Sequence, residues 1–340
     1  VFFVRSQGAV YEMSKSGNSW AERVIFSFSG PDGIAPEGVP TIDKDGNIYV
    51  TSLVGGSLGN GSIVKLAPLS GGYAEVASYV FHGPEGANPS AALFEHGKGF
   101  YMTATDGGAN GAGSILFVTP TLQVTDVYDF HGAPADGAQP ESNLIADPCG
   151  ALYGTTENGG EYNLGTVFKF VPAKHGQGTL TTLYSFHGGS DGETPIQSNL
   201  IRDASGNLYG VTDFGGGYGG SGSNSDGVVF KLTPADGRYE ESILHRFSGV
   251  PDGANPLVGL TFKGRFIYGT TANGGVGAGT IFRMFSDGSN YSVVYDFASA
   301  SNASGAFPRC QLFSHGTGLF GTTGSNIGSV AWGTVFDYIP

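Results

Sequence analysis

Charge is scarce in this chain. Only 13% of its 340 residues are Asp, Glu, Lys or Arg, about half the ~25% of an ordinary soluble domain. Basic residues are the scarcer sign, 16 against 29 acids, which leaves a net charge of −13. Phosphates demand clustered Lys and Arg, so a nucleic-acid partner is disfavoured, and so is an electrostatic hold on anionic lipid. No apolar run reaches the 18 or so residues of a membrane-spanning helix, so no direct membrane insertion is expected. Cysteine is limited to Cys149 and Cys310. They stand in different repeats and at different places in the unit, and a disulfide needs Cα atoms within ~7 Å. Two free, mostly buried thiols are expected, not a disulfide framework. Catalytic signatures are also missing: no H-E-x-x-H, no strand-to-helix nucleophile elbow, no phosphate-binding G-x-x-x-x-G-K-[ST] and no EF-hand loop.

Glycine and aromatics are plentiful, with 59 Gly and 12% Phe, Trp and Tyr. Disordered chains are poor in aromatics, so the glycines serve turns and close backbone contacts in a packed β protein. A segment of the type Gly-Thr-Val-Phe begins at Gly8, Gly61, Gly113, Gly165, Gly227, Gly279 and Gly333. The steps are 53, 52, 52, 62, 52 and 54 residues. A period of that size without a helical pattern indicates a propeller or another repeat array.

The fifth repeat shows the unit. Asp252-Gly253-Ala254-Asn255-Pro256 reads as a turn. Leu257 to Phe262 is an apolar strand (a), and Arg265 to Thr271 an aromatic and β-branched strand (b). After a Gly-rich loop, Gly279 to Phe285 (c) and Tyr291 to Phe297 (d) flank the hairpin signal Asp287-Gly288. Strand b recurs as Ile48-Tyr49, Phe100-Tyr101, Leu152-Tyr153, Leu208-Tyr209 and Leu319-Phe320, and strand d ends in Phe28, Phe81, Phe130, Phe186, Phe247 and Phe297. Four short antiparallel strands at this period predict an all-β propeller of four-stranded blades, a single domain over 1–340. Six blades are preferred and seven remain open. The aromatics are expected to fill the space between stacked blades.

The layout is kelch-like. The motifs resemble the GloVer tandem repeat, the bacterial "choice-of-anchor" exported family, in Asp203-Ala204-Ser205-Gly206-Asn207-Leu208-Tyr209-Gly210 and Gly165-Thr166-Val167-Phe168-Lys169. The resemblance covers about residues 8 to 340 and implies export and surface attachment, while saying almost nothing of activity. An extracellular or cell-surface location is expected, Val1 opening a processed mature chain.

Strand c occurs seven times and the other types six. Either the surplus strand packs on the rim, or Val1, Phe2, Phe3 and Val4 act as a degenerate strand b, or one terminus pairs with a neighbouring molecule. Trp20, Trp332, Val335 and Phe336 lie in these terminal segments and are candidates for closure or assembly.

Four groups are candidate chemistry. The turn acids Asp32, Asp136, Asp191 and Asp252 are weak metal candidates. Ca²⁺ is the cation they suit, although one carboxylate per loop beside Gly reads first as a turn. His82, His131 and His187 follow the Phe that ends strand d and are read as structural or solvent-facing. The b–c loop of repeat four carries an insertion with Phe214, Tyr218, Asn224 and Asp226, where aromatics with amides and acids suit a sugar ring. Arg309, alone of its kind in the aligned copies, is a candidate for a ligand carboxylate or an internal acid. No cofactor is required. The expected function is non-enzymatic: a binding or self-assembling platform whose partner is a glycan, a surface protein or its own copies. A lectin-like module and a polysaccharide-active enzyme are the alternatives.

Overall fold

The computed structural model describes residues 2–5, 8–17, 19–174, 176–217, 226–297, 305–324 and 333–340. Every regular element among them is a strand. The fold is a β-propeller, and among the described residues six four-stranded antiparallel sheets form its blades. In repeat five the strands Thr261–Lys263, Phe266–Thr271, Thr280–Phe285 and Ser292–Asp296 pair in chain order. The expected strand a begins late: Leu257 to Leu260 runs without a ladder, and only its end pairs, Thr261 opposite Tyr268. The hairpin falls where Asp287-Gly288 places it, the Gly288 N–H donating to the Phe285 carbonyl at 3.0 Å. Most c–d ladders carry a bulge, as at Ile281/Phe282 and Val229/Phe230, which adds local twist.

By contacts the chain divides into two compact units, residues 1–132, 136–153 and 169–181, and residues 133–135, 154–168 and 182–340. In the first, Tyr49, Phe81, Phe100, Met102 and Leu116 form a core, Tyr49 and Phe100 lying 4.6 Å apart. In the second, the Phe closing strand d of one repeat meets the Phe of strand c in the next. The pairs are Phe186–Phe230, Phe247–Phe282 and Phe297–Phe336, at 5.1, 5.2 and 5.1 Å. Within each unit the aromatics therefore do fill the space between neighbouring sheets. Strand b makes room for them: a Cβ on Gly210 would sit 2.5 Å from the Phe230 ring, which explains the recurrent Tyr-Gly pair.

The N-terminal sheet has three strands, Phe2–Arg5, Ala9–Ser16 and Ser19–Ser27, in that order. Phe2 lies opposite Glu12 and Val4 opposite Val10, so this segment takes the place of a strand b. The last sheet joins Phe313–His315, Gly318–Gly324 and Val335–Tyr338, with Ala306–Pro308 on the end of Gly318–Gly324. Both cysteines are free, but Cys149 is exposed, not buried. It sits in the turn after Asp147, whose carboxylate accepts its N–H at 2.9 Å. Cys310 is partly buried, its sulfur accepting the Thr322 N–H at 2.8 Å.

Candidate functional site

The turn acids are built into the scaffold. Each carboxylate caps the backbone N–H of the residue following the Phe of strand d: Ser29 to Asp32 at 2.6 Å, His82 to Glu85 at 2.8 Å, His131 to Asp136 at 2.7 Å, His187 to Asp191 at 3.0 Å and Ser248 to Asp252 at 3.0 Å. A tyrosine of strand d donates its hydroxyl to the same group, as Tyr79 does to Glu85, Tyr128 to Asp136 and Tyr184 to Asp191. His245 replaces it at Asp252, 3.1 Å from both oxygens. His82, His131 and His187 turn a ring nitrogen to their own turn acid and otherwise face solvent. Among the described residues no three His, Cys, Asp or Glu side chains converge on a common ion position. The spelling G-x-S-x-G does occur at Gly188 to Gly192, within such a turn and with no helix after it.

A second acidic series explains the D-x-x-G-N-L-Y motif. Asp203 accepts N–H bonds from Ser205 and Asn207, the Asn207 amide at 2.7 Å and the Tyr209 hydroxyl at 2.9 Å. Asp43 and Asp147 repeat the arrangement with Tyr49 and Tyr153. The strand c lysines Lys65, Lys169 and Lys231 lie over the three tyrosine rings, 5.3 to 5.8 Å from the centroids. Burial works against ionisation of these acids, but the hydrogen bonds outweigh it and hold all three below the ordinary carboxylate value. A folded-state pKa below the unfolded one gives stability that is present above about pH 3.9 and lost as pH falls through the lower value. Asp203→Asn is therefore expected to lower the melting temperature at pH 7 and to shrink its drop between pH 5 and pH 3. An unchanged acid limb would remove Asp203 from that role.

Adjacent repeats are hooked together by a residue with left-handed backbone just before the strand a proline. Asn88, Gln139, Thr194, Asn255 and Phe307 have φ of 55 to 57°. Their N–H groups donate to the carbonyls of Asn60, Ala112, Leu164, Asp226 and Ala278 in the preceding repeat. Asp226, a candidate ligand residue, thus serves the scaffold through its backbone, and burial together with the Asp252 charge pushes its carboxyl pKa up.

The b–c loops carry what is not repeated. Phe214 is 37% exposed and Tyr162 is 52% exposed. Phe214 pairs with Glu193 across a two-residue ladder, and Tyr162 lies edge-on to His187 at 5.8 Å. Glu193 reaches back toward Gly188, beside His187. Tyr162, His187, Glu193 and Phe214 therefore form one patch of the second unit. Tyr218 and Asn224 lie outside the described residues, as do Val1 and Trp332. Phe2, Phe3 and Val4 are placed by their backbone pairing alone. Trp20 is half-buried, with Lys15 over its ring at 5.6 Å.

Arg309 is exposed, and its charge acts on the buried Asp213. Burial pushes Asp213 up to about 6, the Asn255 amide and Arg309 pull down, and Glu157 pushes up. Asp213 and Tyr162 are residues that the sequence alone did not single out. The available signal was departure from the repeat: Asp213 stands where repeat five has Ala272 and repeat two Thr105.

The family model for the Gloeobacter/Verrucomicrobia repeat matches residues 3–222 and again 219–340. No curated protein matches the chain. Solved structures similar to the chain include three propeller-length matches. A candidate 6-phosphogluconolactonase from Bacteroides uniformis is 15% identical at TM-score 0.59, over 92% of this chain and 84% of that one. A hypothetical selenium-binding protein from Sulfolobus tokodaii is 11% identical at TM-score 0.62, over 94% and 79%. The extracellular domain of a candidate one-component system from B. thetaiotaomicron is 11% identical at TM-score 0.57, over 94% of this chain and 36% of that one. At these identities the likeness shows the fold alone.

Proposed function

We propose, because the chain belongs to the Gloeobacter/Verrucomicrobia repeat family, that it is an extracellular, non-enzymatic β-propeller whose b–c loop face binds a glycan. The observation that carries this reading is the division of labour among its side chains. The repeated acids and tyrosines are consumed in turns and inter-repeat contacts, while exposed Tyr162 and Phe214 flank His187 and Glu193 on a loop patch. Sugar rings stack on aromatic faces, and their hydroxyls pair with acids and imidazoles. The extracellular placement of one structural relative agrees with an exported role. Phe214→Ala with Tyr162→Ala is expected to cut binding on a glycan array at least about tenfold, roughly 1.4 kcal/mol, with the circular dichroism unchanged. Binding that survives the double substitution, or an array without hits, rejects the patch.

A second reading, self-assembly by strand addition, has its own observation. Val335–Tyr338 pairs with Gly318–Gly324 on one side. It also borders a groove of about 150 Å³ lined by Ile281, Tyr295, Phe297, Phe336 and Tyr338. An edge strand beside an apolar groove is a template for β-augmentation. Light scattering on residues 1–340 separates the readings: a 35.0 kDa particle removes assembly, and a polymer makes this edge its first suspect.

A further inference from the structure

In repeats one, three and four a strand c lysine lies over the strand b tyrosine, and that tyrosine donates its hydroxyl to a turn carboxylate, Asp43, Asp147 or Asp203. Each of these repeats thus assembles a cation, a ring and an acid. Repeat five keeps the first two parts. Arg283 lies opposite Tyr268 in the ladder, as Lys231 lies opposite Tyr209. The acid has been replaced. Asp203 stands two residues beyond Ile201, which faces Tyr209, and the residue two beyond Thr261, which faces Tyr268, is Lys263. The Lys263 ammonium is itself engaged, by the Ser314 hydroxyl and the carbonyls of Gly316 and Gly318 at 2.8 to 3.2 Å. In repeats two and six the strand c cation and the turn acid are lost together: Phe117 and Asp337 face Tyr101 and Phe320, and the turns carry His96 and His315.

Repeat five also adds a second cation. The guanidinium carbon of Arg283 lies 4.5 Å from the centre of the Phe266 ring. That of Arg265 lies 5.3 Å from the same ring and 4.9 Å from the Phe285 ring. The two rings are stacked at 4.7 Å, so two guanidinium groups share one aromatic pair. Arg265 is exposed and Arg283 partly exposed. Nε of Arg283 is buried without a hydrogen-bond partner. Among the described residues neither arginine forms an ion pair. Asp337 of the next repeat turns its Oδ1 toward Gly318 instead. An aromatic ring covers the face of a guanidinium and leaves its N–H edge for a planar, two-oxygen acceptor.

We propose that Arg283 and Arg265 form a binding site for a carboxylate that the chain does not itself supply, the ligand's group standing in for the acid of repeats one, three and four. An acidic sugar and a free organic acid both carry that group. Phe266 begins strand b and Phe285 ends strand c, whereas the b–c loop joins the other ends of these strands, Thr271 and Thr280. The site is therefore independent of the glycan patch on the b–c loops.

The test follows the arginine Nε–H resonances of isotope-labelled protein, residues 1–340, by nuclear magnetic resonance during titration with galacturonate, acetate or galactose. Arg283→Lys and Arg265→Lys identify the two signals by their loss. A saturable shift of the Arg283 signal with galacturonate and none with galactose is expected, along with a rise in melting temperature. Acetate acting as strongly as galacturonate assigns the site to organic acids at large, and acetate acting at least about tenfold more weakly assigns it to the acidic sugar. Arg283→Lys keeps the charge and loses the fork. It should weaken the galacturonate-dependent melting shift at least about tenfold, and Arg238→Lys, on an exposed hairpin, should leave it unchanged. No saturable shift with either carboxylate, an equal shift with galactose, or full affinity in Arg283→Lys overturns the proposal. So does an Arg283→Lys protein that is merely less stable while the parent ignores both acids, since that describes a stacking contact alone.

Discussion

Alanine at Gly113 is expected to cost about 3 kcal/mol of stability, from overpacking of ~1–3 kcal/mol and a left-handed backbone penalty of ~1–2 kcal/mol. Gly113 has φ +89°, and a Cβ there would lie 2.5 Å from Cδ of Pro140 and 2.6 Å from the carbonyl oxygens of Ala104 and Thr105. None of these neighbours is the far end of a flexible side chain. The same contact of Gly with the next repeat's Pro recurs at Gly61 with Pro89, Gly165 with Pro195, Gly227 with Pro256 and Gly279 with Pro308. It is the reason that Gly opens these c strands and Pro precedes the a strands that follow them. Gly111 supplies the control: its φ is +71°, but a Cβ there would have no atom within 4 Å. Gly111→Ala should cost only about 1 kcal/mol. Urea unfolding of the two variants separates backbone conformation from packing, and equal losses would sink the packing argument.

Asp136→Ala is expected to cost a similar amount, about 3–4 kcal/mol, because several donors lose one buried acceptor and charged hydrogen bonds are worth ~1.5–3 kcal/mol each without full additivity. Oδ1 accepts the N–H groups of His131 and Gly132 at 2.7 and 3.2 Å, and Oδ2 accepts the Tyr128 hydroxyl. Asp136→Asn keeps one acceptor oxygen and should lose about half as much. Chemical denaturation gives the magnitude, and near-ultraviolet circular dichroism of Tyr128 reports whether the turn has opened. A loss under about 1 kcal/mol for Asp136→Ala would mean that the turn stands without its carboxylate.

The repeat, the hairpins and the inter-sheet aromatics were legible because each depends on side-chain type at fixed spacing. The Tyr-Gly pair of strand b and the Asp287-Gly288 turn are examples. The hooks between repeats were not legible. Asn88, Gln139, Thr194, Asn255 and Phe307 share a backbone conformation and a donated N–H, and neither leaves a mark on residue identity. Strand a was read too long since buried apolar residues such as Leu260 look like a strand whether or not they pair. Cys149 was expected inside because cysteine is usually buried, but the Asp147 turn sets its exposure. The candidate patch was partly legible. Phe214 lies exposed on its loop, whereas Tyr162, on a b–c loop without an insertion, gave no signal by departure from the repeat length.

Four of the b–c loops close in the same way. Gly61 donates its N–H to the Gly55 carbonyl, Gly113 to Gly107, Gly165 to Gly159, and Gly227 to Gly215, at 3.1, 3.1, 3.2 and 3.2 Å. The last of these spans the inserted segment of repeat four, yet the clasp is the same. Doubling the length of a loop costs only about 0.6 kcal/mol of closure entropy. The frame is thus indifferent to what is carried between the two glycines of each clasp. Foreign peptides grafted between Gly107 and Gly113 should display on an unaltered body, much as hypervariable segments do on an antibody framework. New recognition in such a chain then requires only an insertion, with no redesign of the fold beneath it.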